Sequence, residues 1–276
     1  MADHSSESEL LSLKDVAAQL DVHYMTAYRY VRLGMLPATQ QGRSWVVRAE
    51  DLAAFAETPP SETQRGTARW KERMLSRMLE ADAPGAWAVA EAALASGMTP
   101  VAAYEQLLIP ALRDVGDKWK AGEIGVEDEH AASQVATRLV ARLAPRMARR
   151  GIRRGTVVLG STQTEMHGPP SSIAADLFRD AGFNVVDAGV NLPPESLARL
   201  VASYDDVLAV GISVTTSHQQ DEIARSIAAV RDLSDAKVVV GGAGTSEADA
   251  RDAGADAYAR TARDAIAVFE QFRLDT

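Results

Sequence analysis

The sequence contains no cysteine and only five histidines among its 276 residues. The absence of cysteine excludes disulfides, thiolate metal sites, a cysteine nucleophile and a chromophore attached through a thioether. No apolar stretch approaches the roughly 18 residues needed to cross a bilayer. The first ten residues, MADHSSESEL, are acidic and polar where a secretory signal would be basic and then apolar. We therefore expect a cytoplasmic protein that makes no contact with a membrane.

The composition is that of an ordinary globular protein, with 46% hydrophobic and 24% charged residues. The length allows two or three compact units. A net charge of −9 argues against a protein that coats nucleic acid with its whole surface. Because net charge averages over domains, a local basic face is still compatible with this value.

Residues 10–57 show the pattern of a winged helix-turn-helix domain. LLSLKDVAAQL has apolar residues at helical spacing, and HYMTAYRYVRLG predicts a second helix that begins at His23 and ends at Gly34. LPATQQGRSWVVR predicts a hairpin that turns near Gln41 and Gly42, and AEDLAAF predicts a closing helix. This order of elements is typical of DNA-binding modules, and a small helical interaction module is the alternative.

The charge of this segment supports DNA as its partner. Between His23 and Arg48 there are four arginines and no acidic residue. LKDVAAQLDV, TAYRYVRLGMLPA and GRSWVVRAEDLAAF resemble the excisionase-type, MerR-like DNA-binding domains of bacteria. That resemblance implies that the second helix enters the major groove of a double-stranded operator and that residues 42–48 contact its backbone. The candidate DNA-binding residues are Thr26, Tyr28, Arg29, Arg32, Arg43 and Arg48.

Residues 68–150 are predicted to form a four-helix bundle after a linker over 59–64. Apolar stripes at helical spacing are interrupted near Pro84, at 98–100 and at 122–125. The segment ends in PRMARRGIRR, which is rich in arginine. We interpret this run as a solvated linker, with contact to DNA phosphates or to a neighbouring subunit as the alternative.

Residues 154–274 alternate strand and helix five times, which predicts a doubly wound, five-stranded parallel α/β sheet of the flavodoxin-like or Rossmann-like kind. In such sheets ligands bind at the carboxyl ends of the strands. The Gly-x-Gly-x-x-Gly motif of dinucleotide sites does not follow the first strand, and no lysine follows the glycines as in a P-loop. Nucleotide phosphate is therefore not the expected ligand.

The unusual residues of this segment all follow strand ends. They are Glu165, His167 and Gly168 after the first strand, Ser213, Thr215 and Thr216 after the third, and Gly241, Gly242 and Gly244 after the fourth. Small residues there suit a ligand tail between the third and fourth strands, and a carboxylate two residues from a histidine can hold one ring nitrogen while the other binds a metal.

The motifs ExH, SVTT and VVGG resemble the corrinoid-binding domain found in methionine synthase and in CarH-type light regulators. The resemblance implies bound cobalamin (vitamin B12) with its own base displaced and His167 as the lower axial ligand of cobalt. GDKWKAGEIGVEDEHAAS, with Trp119, Glu129 and His130, resembles the helical cap that covers the upper corrin face in these proteins.

Two positions depart from the family pattern. Pro170 stands where the family has a glycine three residues after the histidine, and Lys120 stands where CarH-type regulators have a histidine after the cap tryptophan. Two prolines in succession stiffen the loop and remove N–H donors. His130 or His218 is then the candidate for the upper cobalt position in the light.

The resemblance to CarH-type regulators implies a non-enzymatic, cobalamin-dependent and light-responsive transcriptional regulator. It implies adenosylcobalamin as the cofactor and a homo-oligomer that changes with light. Three alternatives remain: a corrinoid shuttle protein of a methyltransferase system, a combined cobalamin and bilin photoreceptor, and a non-photic cobalamin sensor. A bilin would be bound noncovalently, because there is no cysteine to attach it.

Overall fold

The computed structural model of the chain describes residues 10–20, 22–32, 36–42, 44–57, 62–147, 151 and 154–275, without the side chains of residues 29, 32, 57 and 62–68. The described residues up to Ser76 form one compact unit, and those from Arg77 onwards form a second. The helices and the sheet that follow residue 77 therefore belong to one unit. The division into domains at 10–57, 68–150 and 154–274 stays a prediction.

The first unit combines helices with a small antiparallel sheet. Its elements are β1 (Leu10–Ser12), α1 (Leu13–Gln19), α2 (Tyr24–Arg32), β2 (Thr39–Gln41), β3 (Ser44–Arg48) and α3 (Ala49–Glu57). The strands lie in the order β1-β3-β2. Its core includes Val16, Ala27, Val31 and Val47, all buried.

The structure corrects the prediction for the start of this unit. Leu10–Ser12 pairs with β3 as a strand and does not extend the first helix. Ser12 is the reason, because its hydroxyl accepts a hydrogen bond from the backbone N–H of Asp15 and the Asp15 carboxylate accepts one from the backbone N–H of Ser12. This capping box starts the helix at Leu13. The predicted turn at Gly42 is present with a positive φ of 61°, whereas the predicted helix end at Gly34 lies outside the described residues.

Four helical segments precede the large sheet, with breaks where the sequence predicts them. They are α4 (Glu62–Leu79), α5 (Ala83–Ala95), the run of α6 (Pro100–Ala103) and α7 (Ile109–Lys120), and α8 (Val126–Leu143). A π-helical turn, Tyr104–Leu108, lies between α6 and α7, and a 3-10 turn, Ala144–Arg146, follows α8. The predicted linker over 59–64 is wrong for residues 62–64, which belong to α4, and residues 59–61 lie outside the description.

The predicted five-stranded parallel sheet is confirmed. Its strands are β4 (Thr156–Ser161), β5 (Asn184–Asp187), β6 (Val207–Ser213), β7 (Lys237–Gly241) and β8 (Ala257–Ala259), in the order β5-β4-β6-β7-β8. The helices α9 (Gly168–Asp180) and α13 (Ala262–Leu274) pack on one face, and α10 (Pro194–Ala202), α11 (Gln220–Leu233) and α12 (Glu247–Asp252) pack on the other. The strand that follows β4 in the sequence, β5, lies on one side of it, and all later strands lie on the other side. Ligands bind at such a change in the direction of the strand order, here between β4 and β6.

Two neighbouring residues of the π-helical turn attach the helical segments to the sheet. The hydroxyl of fully buried Tyr104 donates a 2.7 Å hydrogen bond to the carboxylate of Asp176 in α9. Asp176 is itself buried and also accepts from Arg179 at 2.8 Å. Glu105 forms a bidentate ion pair with Arg263 of α13. The π-helical turn thus contacts both helices on that face of the sheet.

Candidate functional site

Glu165 is the centre of a hydrogen-bond network in the loop between β4 and α9. Its side chain is fully buried. One carboxylate oxygen, Oε1, accepts hydrogen bonds from the backbone N–H of His167 at 3.0 Å and from Nδ1 of His167 at 2.6 Å. The imidazole is partly exposed, and Nδ1 is occupied by Glu165. Nε2 is therefore the nitrogen that His167 offers to a ligand.

The second oxygen of Glu165 connects this loop to the next strand of the sheet. Oε2 accepts hydrogen bonds from the backbone N–H groups of Thr215 at 2.7 Å and Thr216 at 2.8 Å, just after β6. The Thr216 hydroxyl lies 3.3 Å from Oε1 of Glu165 and 3.4 Å from Nδ1 of His167. The structure therefore brings together the predicted site residues that follow the first and third strands of the sheet.

These contacts control the charges of the pair. Burial disfavours the ionised carboxylate, but the hydrogen bonds from His167, Thr215 and Thr216 outweigh it and lower the pKa of Glu165 to about 2. The hydrogen bond to Glu165 raises the pKa of His167, against the opposing effect of its partial burial. The negative charge of Glu129 in α8 favours the protonated imidazole and so makes a smaller contribution to raising the pKa of His167.

Two residues that the sequence does not single out, Asn191 and Gln219, support the loop. Asn191 accepts a hydrogen bond from the backbone N–H of Thr164 at 3.0 Å and donates its own N–H to the carbonyl of Glu165 at 2.9 Å. Gln219, buried at the start of α11, accepts from the hydroxyls of Thr162 and Thr164, both at 3.2 Å. Asn191 could have been identified from the sequence by its position after β5, because the ends of the parallel strands lie at the same edge of the sheet.

The glycines after β7 permit a close approach between chain segments. A Cβ atom on Gly241 would lie 2.3 Å from the carbonyl oxygen of Ala259, and one on Gly242 would lie 2.2 Å from that of Val214. Gly242 also has a positive φ of 117°, which L side chains rarely adopt. Ser213 pairs with Gly241 across β6 and β7. A side chain at Gly241 would push the end of β7 away from β8, and one at Gly242 would push it away from the segment that follows β6.

Several hydroxyls at the edge of the sheet are buried and have no hydrogen-bond partner among the described residues. They include Ser161 at the end of β4, Thr215 after β6 and Thr245 after β7. Buried polar groups normally have partners, so these three hydroxyls can satisfy a polar ligand that enters between the strand ends. Together with the narrow glycine contacts and the free Nε2 of His167, they fit a metal-bearing ligand with a polar tail. A corrinoid is such a ligand.

The predicted cap residues lie in the helical segments. Glu129 accepts a 2.7 Å hydrogen bond from Ser133 and lies 3.0 Å from Nδ1 of His130, and the side chain of His130 is exposed. Nδ1 of His130 is also 2.9 Å from the carbonyl oxygen of Val126. Trp119 lies near the end of α7 and exposes 45% of its surface, a high fraction for so large an apolar residue.

The two departures from the family pattern have different structural contexts. Pro169 and Pro170 lie in the first turn of α9, where backbone N–H groups need no partner within the helix, so the helix accommodates both. Gly168 has free space around its missing Cβ. Lys120 is exposed at the end of α7, and His218 is exposed with a positive φ of 63°.

The candidate DNA-binding residues are only partly described. Thr26 and Tyr28 are half-buried in α2. Arg48, at the end of β3, is exposed and lies 3.0 Å from Asp51 and 3.4 Å from Glu50. The side chains of Arg29 and Arg32 and the whole of Arg43 lie outside the described residues.

No helix among the described residues is long and apolar enough to span a membrane.

Comparison with protein families assigns three segments of the chain. A helix-turn-helix domain matches residues 10–59, and two families described as B12 binding domains match residues 70–144 and 155–269.

Individual proteins agree with these assignments. The chain is 31% identical to the trimethylamine corrinoid protein of Methanosarcina barkeri over 208 residues, which cover 71% of this chain and 95% of that protein. It is 30% identical to the HTH-type transcriptional repressor CarH of Myxococcus xanthus over 197 residues, covering 71% of this chain and 62% of that protein. The structure of the Methanosarcina barkeri monomethylamine corrinoid protein superimposes on this chain with a TM-score of 0.65, at 21% identity. The superposition covers 74% of this chain and 98% of that chain, and it shows that the two share a fold. The chain therefore belongs to the family of corrinoid proteins with B12 binding domains, and it carries a helix-turn-helix domain in addition.

Proposed function

We propose that this protein is a cobalamin-dependent, light-responsive transcriptional regulator. The observation that carries the proposal is the combination, in one chain, of a helix-turn-helix domain with two B12 binding domains. The similarity to a transcriptional repressor, CarH, supports it. The first unit would bind a double-stranded operator, with β2 and β3 as the wing of a MerR-like, winged helix-turn-helix fold. The second unit would bind the cofactor, and the protein would act as a homo-oligomer.

The residues around Glu165 would hold cobalamin from below. Nε2 of His167 would be the lower axial ligand of cobalt, while Glu165 keeps the imidazole oriented through Nδ1. Ser213, Thr215, Gly241 and Gly242 would surround the polar tail between β6 and β7. Because Glu165 also accepts the N–H groups that follow β6, the ligand loop and the tail site are fixed to each other.

The helical segments would cover the opposite face of the corrin. Trp119, Glu129 and His130 would contact or shield the upper ligand, which we propose to be adenosyl. Bound adenosylcobalamin supplies a cobalt–carbon bond that light can break. Contacts of Trp119, Glu129 and His130 with the adenosyl group would hold the helical segments in one arrangement, and the protein without these contacts would adopt another with a different affinity for DNA.

The first experiment compares wild type with His167→Ala after loading with adenosylcobalamin in the dark. Absorption spectra and size-exclusion profiles are recorded before and after green light. We expect a base-off, histidine-bound spectrum whose histidine-dependent features are lost in His167→Ala, and a light-driven change in both spectrum and size of the wild type. His23→Ala serves as the control, because His23 is also an exposed histidine but lies in the first unit, and it is expected to leave the spectrum unchanged in the dark and after light.

Regulation itself is tested by gel shifts with DNA flanking the protein's own gene, in the dark and after green light. A shift that does not respond to cobalamin or to light would refute the regulatory proposal. A response to cobalamin but not to light would favour a non-photic sensor. A red absorption band after reconstitution with biliverdin would favour a combined cobalamin and bilin photoreceptor.

A second candidate function is a corrinoid carrier in a methyltransferase system. It is favoured by the 31% identity to a trimethylamine corrinoid protein over most of that protein's length. Such a carrier has no evident use for the helix-turn-helix domain over residues 10–59. Methyl transfer from a methylamine or methanol to the reduced, protein-bound cobalt, in the presence of a matching methyltransferase, would support this candidate.

A further inference from the structure

Three arginines follow one another at four-residue intervals along the end of α8. Arg138 and Arg142 lie in the helix and Arg146 in the 3-10 turn that continues it, and all three are exposed. Nη1 of Arg146 donates to the carbonyl oxygen of Arg142 at 3.0 Å. Because an α-helix rises about 1.5 Å per residue, the three side chains form a line about 12 Å long, which we call the arginine ridge.

The aromatic ring of Trp87 lies close to the guanidinium groups of two ridge arginines. The guanidinium groups of Arg142 and Arg146 lie 5.2 Å and 5.3 Å from the centre of the Trp87 ring in α5. Cation–π attraction offsets part of the repulsion between the two cations. Stacking also restricts the rotamers of both side chains, so less conformational entropy is lost when an anion binds them.

The charges of the ridge are not neutralised by carboxylates in the described part of the chain. Most arginines of the sheet and its helices, by contrast, have acidic partners. These paired arginines are Arg154, Arg179, Arg225, Arg231, Arg251, Arg263 and Arg273. A chain with a net charge of −9 thus keeps a line of unpaired positive charge on one surface. Such a surface fits a polyanion.

We propose that the arginine ridge is a second DNA-contacting surface, which binds backbone phosphates outside the helix-turn-helix domain. This inference rests on the proposed function, because it takes duplex DNA as the partner. One strand of DNA carries a phosphate about every 3.4 Å along the axis, so a ridge about 12 Å long faces three or four phosphates. The sequence continues the positive charge with Arg149, Arg150 and Arg153, which lie outside the described residues.

The salt dependence of DNA binding tests the ridge. Phosphate contacts are insensitive to sequence, so the probe is a short fluorescent duplex of mixed sequence, titrated with the full chain between about 50 and 200 mM NaCl. Replacement of all three ridge arginines by glutamine should reduce the slope of log K against log salt by about 2 to 3, because each lost phosphate contact removes about 0.9. A reduction of 2.7 means that wild type loses about 40-fold more affinity than the variant over this range.

Two further variants distinguish contact between the ridge and DNA from the effect of the protein's net charge. Arg199→Gln, Arg225→Gln and Arg251→Gln together change the net charge equally, at exposed positions in α10, α11 and α12. This control should keep the wild-type slope. Lysines at all three ridge positions retain the charges and should keep most of the slope as well. Circular dichroism verifies that each variant is folded.

The outcomes are distinct. Equal slopes for wild type and the ridge glutamine variant would overturn the inference, as would an equal reduction in the control. A change in oligomeric size without DNA, together with an unchanged slope, would assign the ridge to contact with a second copy of the chain instead. Failure of wild type to bind the duplex at the lowest salt would refute the proposed DNA-binding function itself, and the ridge proposal with it.

Discussion

The hydrogen bonds of Glu165 predict a large and pH-dependent loss of stability for Glu165→Gln. The carboxylate is fully buried, with Oε1 accepting from His167 and Oε2 accepting from the N–H groups of Thr215 and Thr216. A glutamine keeps the shape, but its NH₂ group must face donors on one side or the other. At least one buried pair of donors then loses its acceptor, at about 1–3 kcal/mol for each unsatisfied group.

The pKa of Glu165 expresses the effect of the same hydrogen bonds as a free energy. A pKa of about 2, against 4.5 for an unperturbed glutamate, corresponds to about 3 kcal/mol of stability at neutral pH. Because the folded-state pKa is the lower one, this contribution is fully present above 4.5 and is lost as the pH falls towards 2. The difference between wild type and the variant should therefore be about 3 kcal/mol at pH 7 and about half of that near pH 3.

The assay is a urea titration of the cofactor-free protein at several pH values. Hydrogen-exchange mass spectrometry of peptides from β6 and β7 reports the second unit separately from the first, so one unfolding transition is not assumed for the whole chain. Glu195→Gln, at an exposed position in α10, is the control and should change stability by less than about 0.5 kcal/mol. A loss below about 1 kcal/mol at pH 7, or one that does not shrink in acid, would refute an ionised and fully bonded Glu165.

Three further changes should alter the stability of the second unit in the same assay. Tyr104→Phe removes the donor to buried Asp176 and should cost about 1–3 kcal/mol. Gly242→Ala places a Cβ 2.2 Å from a backbone carbonyl oxygen, at a residue whose φ is 117°, and should cost about 3 kcal/mol or more. Its control is Gly116→Ala, in open space within α7, which should stabilise the protein by up to about 1 kcal/mol. Asp256→Asn should cost about 1–2 kcal/mol at pH 7. Partial burial alone would raise the pKa of Asp256, but its hydrogen bonds lower it below the ordinary value of 3.8. The cost of the substitution should therefore fade as the pH drops below 3.8.

Each of these changes has its own check. Tyr258→Phe, which removes a 3.3 Å hydrogen bond to the carbonyl of Thr245, is the comparison for Tyr104, and equal costs would contradict a special role of the buried contact. A Gly242→Ala protein as stable as wild type would show that the two chain segments can separate without penalty. A pH-independent loss for Asp256→Asn would mean that the carboxylate charge does not stabilise the fold.

The regular parts of the fold are predictable because they depend on local patterns. Valine-rich runs separated by amphipathic stretches are sufficient to predict the strands and helices of the sheet, and strand ends indicate the edge that bears Glu165 and His167. The start of α1 could also have been predicted, since Ser12 and Asp15 have the spacing of a capping box.

The contacts that complete the site depend on long-range geometry. The hydrogen bonds from Thr215 and Thr216 to Glu165 join residues about 50 positions apart in the sequence. Asn191, which follows β5, and Gln219, which precedes α11, contact the same loop, and neither belongs to a recognisable motif. No periodicity predicts such pairs, because they follow from strand order and from the lengths of the loops.

The π-helical turn at Tyr104–Leu108 has a consequence for the direction of the side chains that follow it. Each residue advances an α-helix by about 100° around its axis, and a π-helical turn takes in more residues than a regular turn. Deletion of one residue from the turn would leave a regular α-helical turn in its place, so that each remaining residue turns further and Trp119 keeps nearly the same direction relative to Tyr104. The π-helical turn therefore absorbs one additional residue between the buried anchor and the tryptophan. A homologue without this turn would present its tryptophan in the same direction with one residue fewer between the two aromatic side chains.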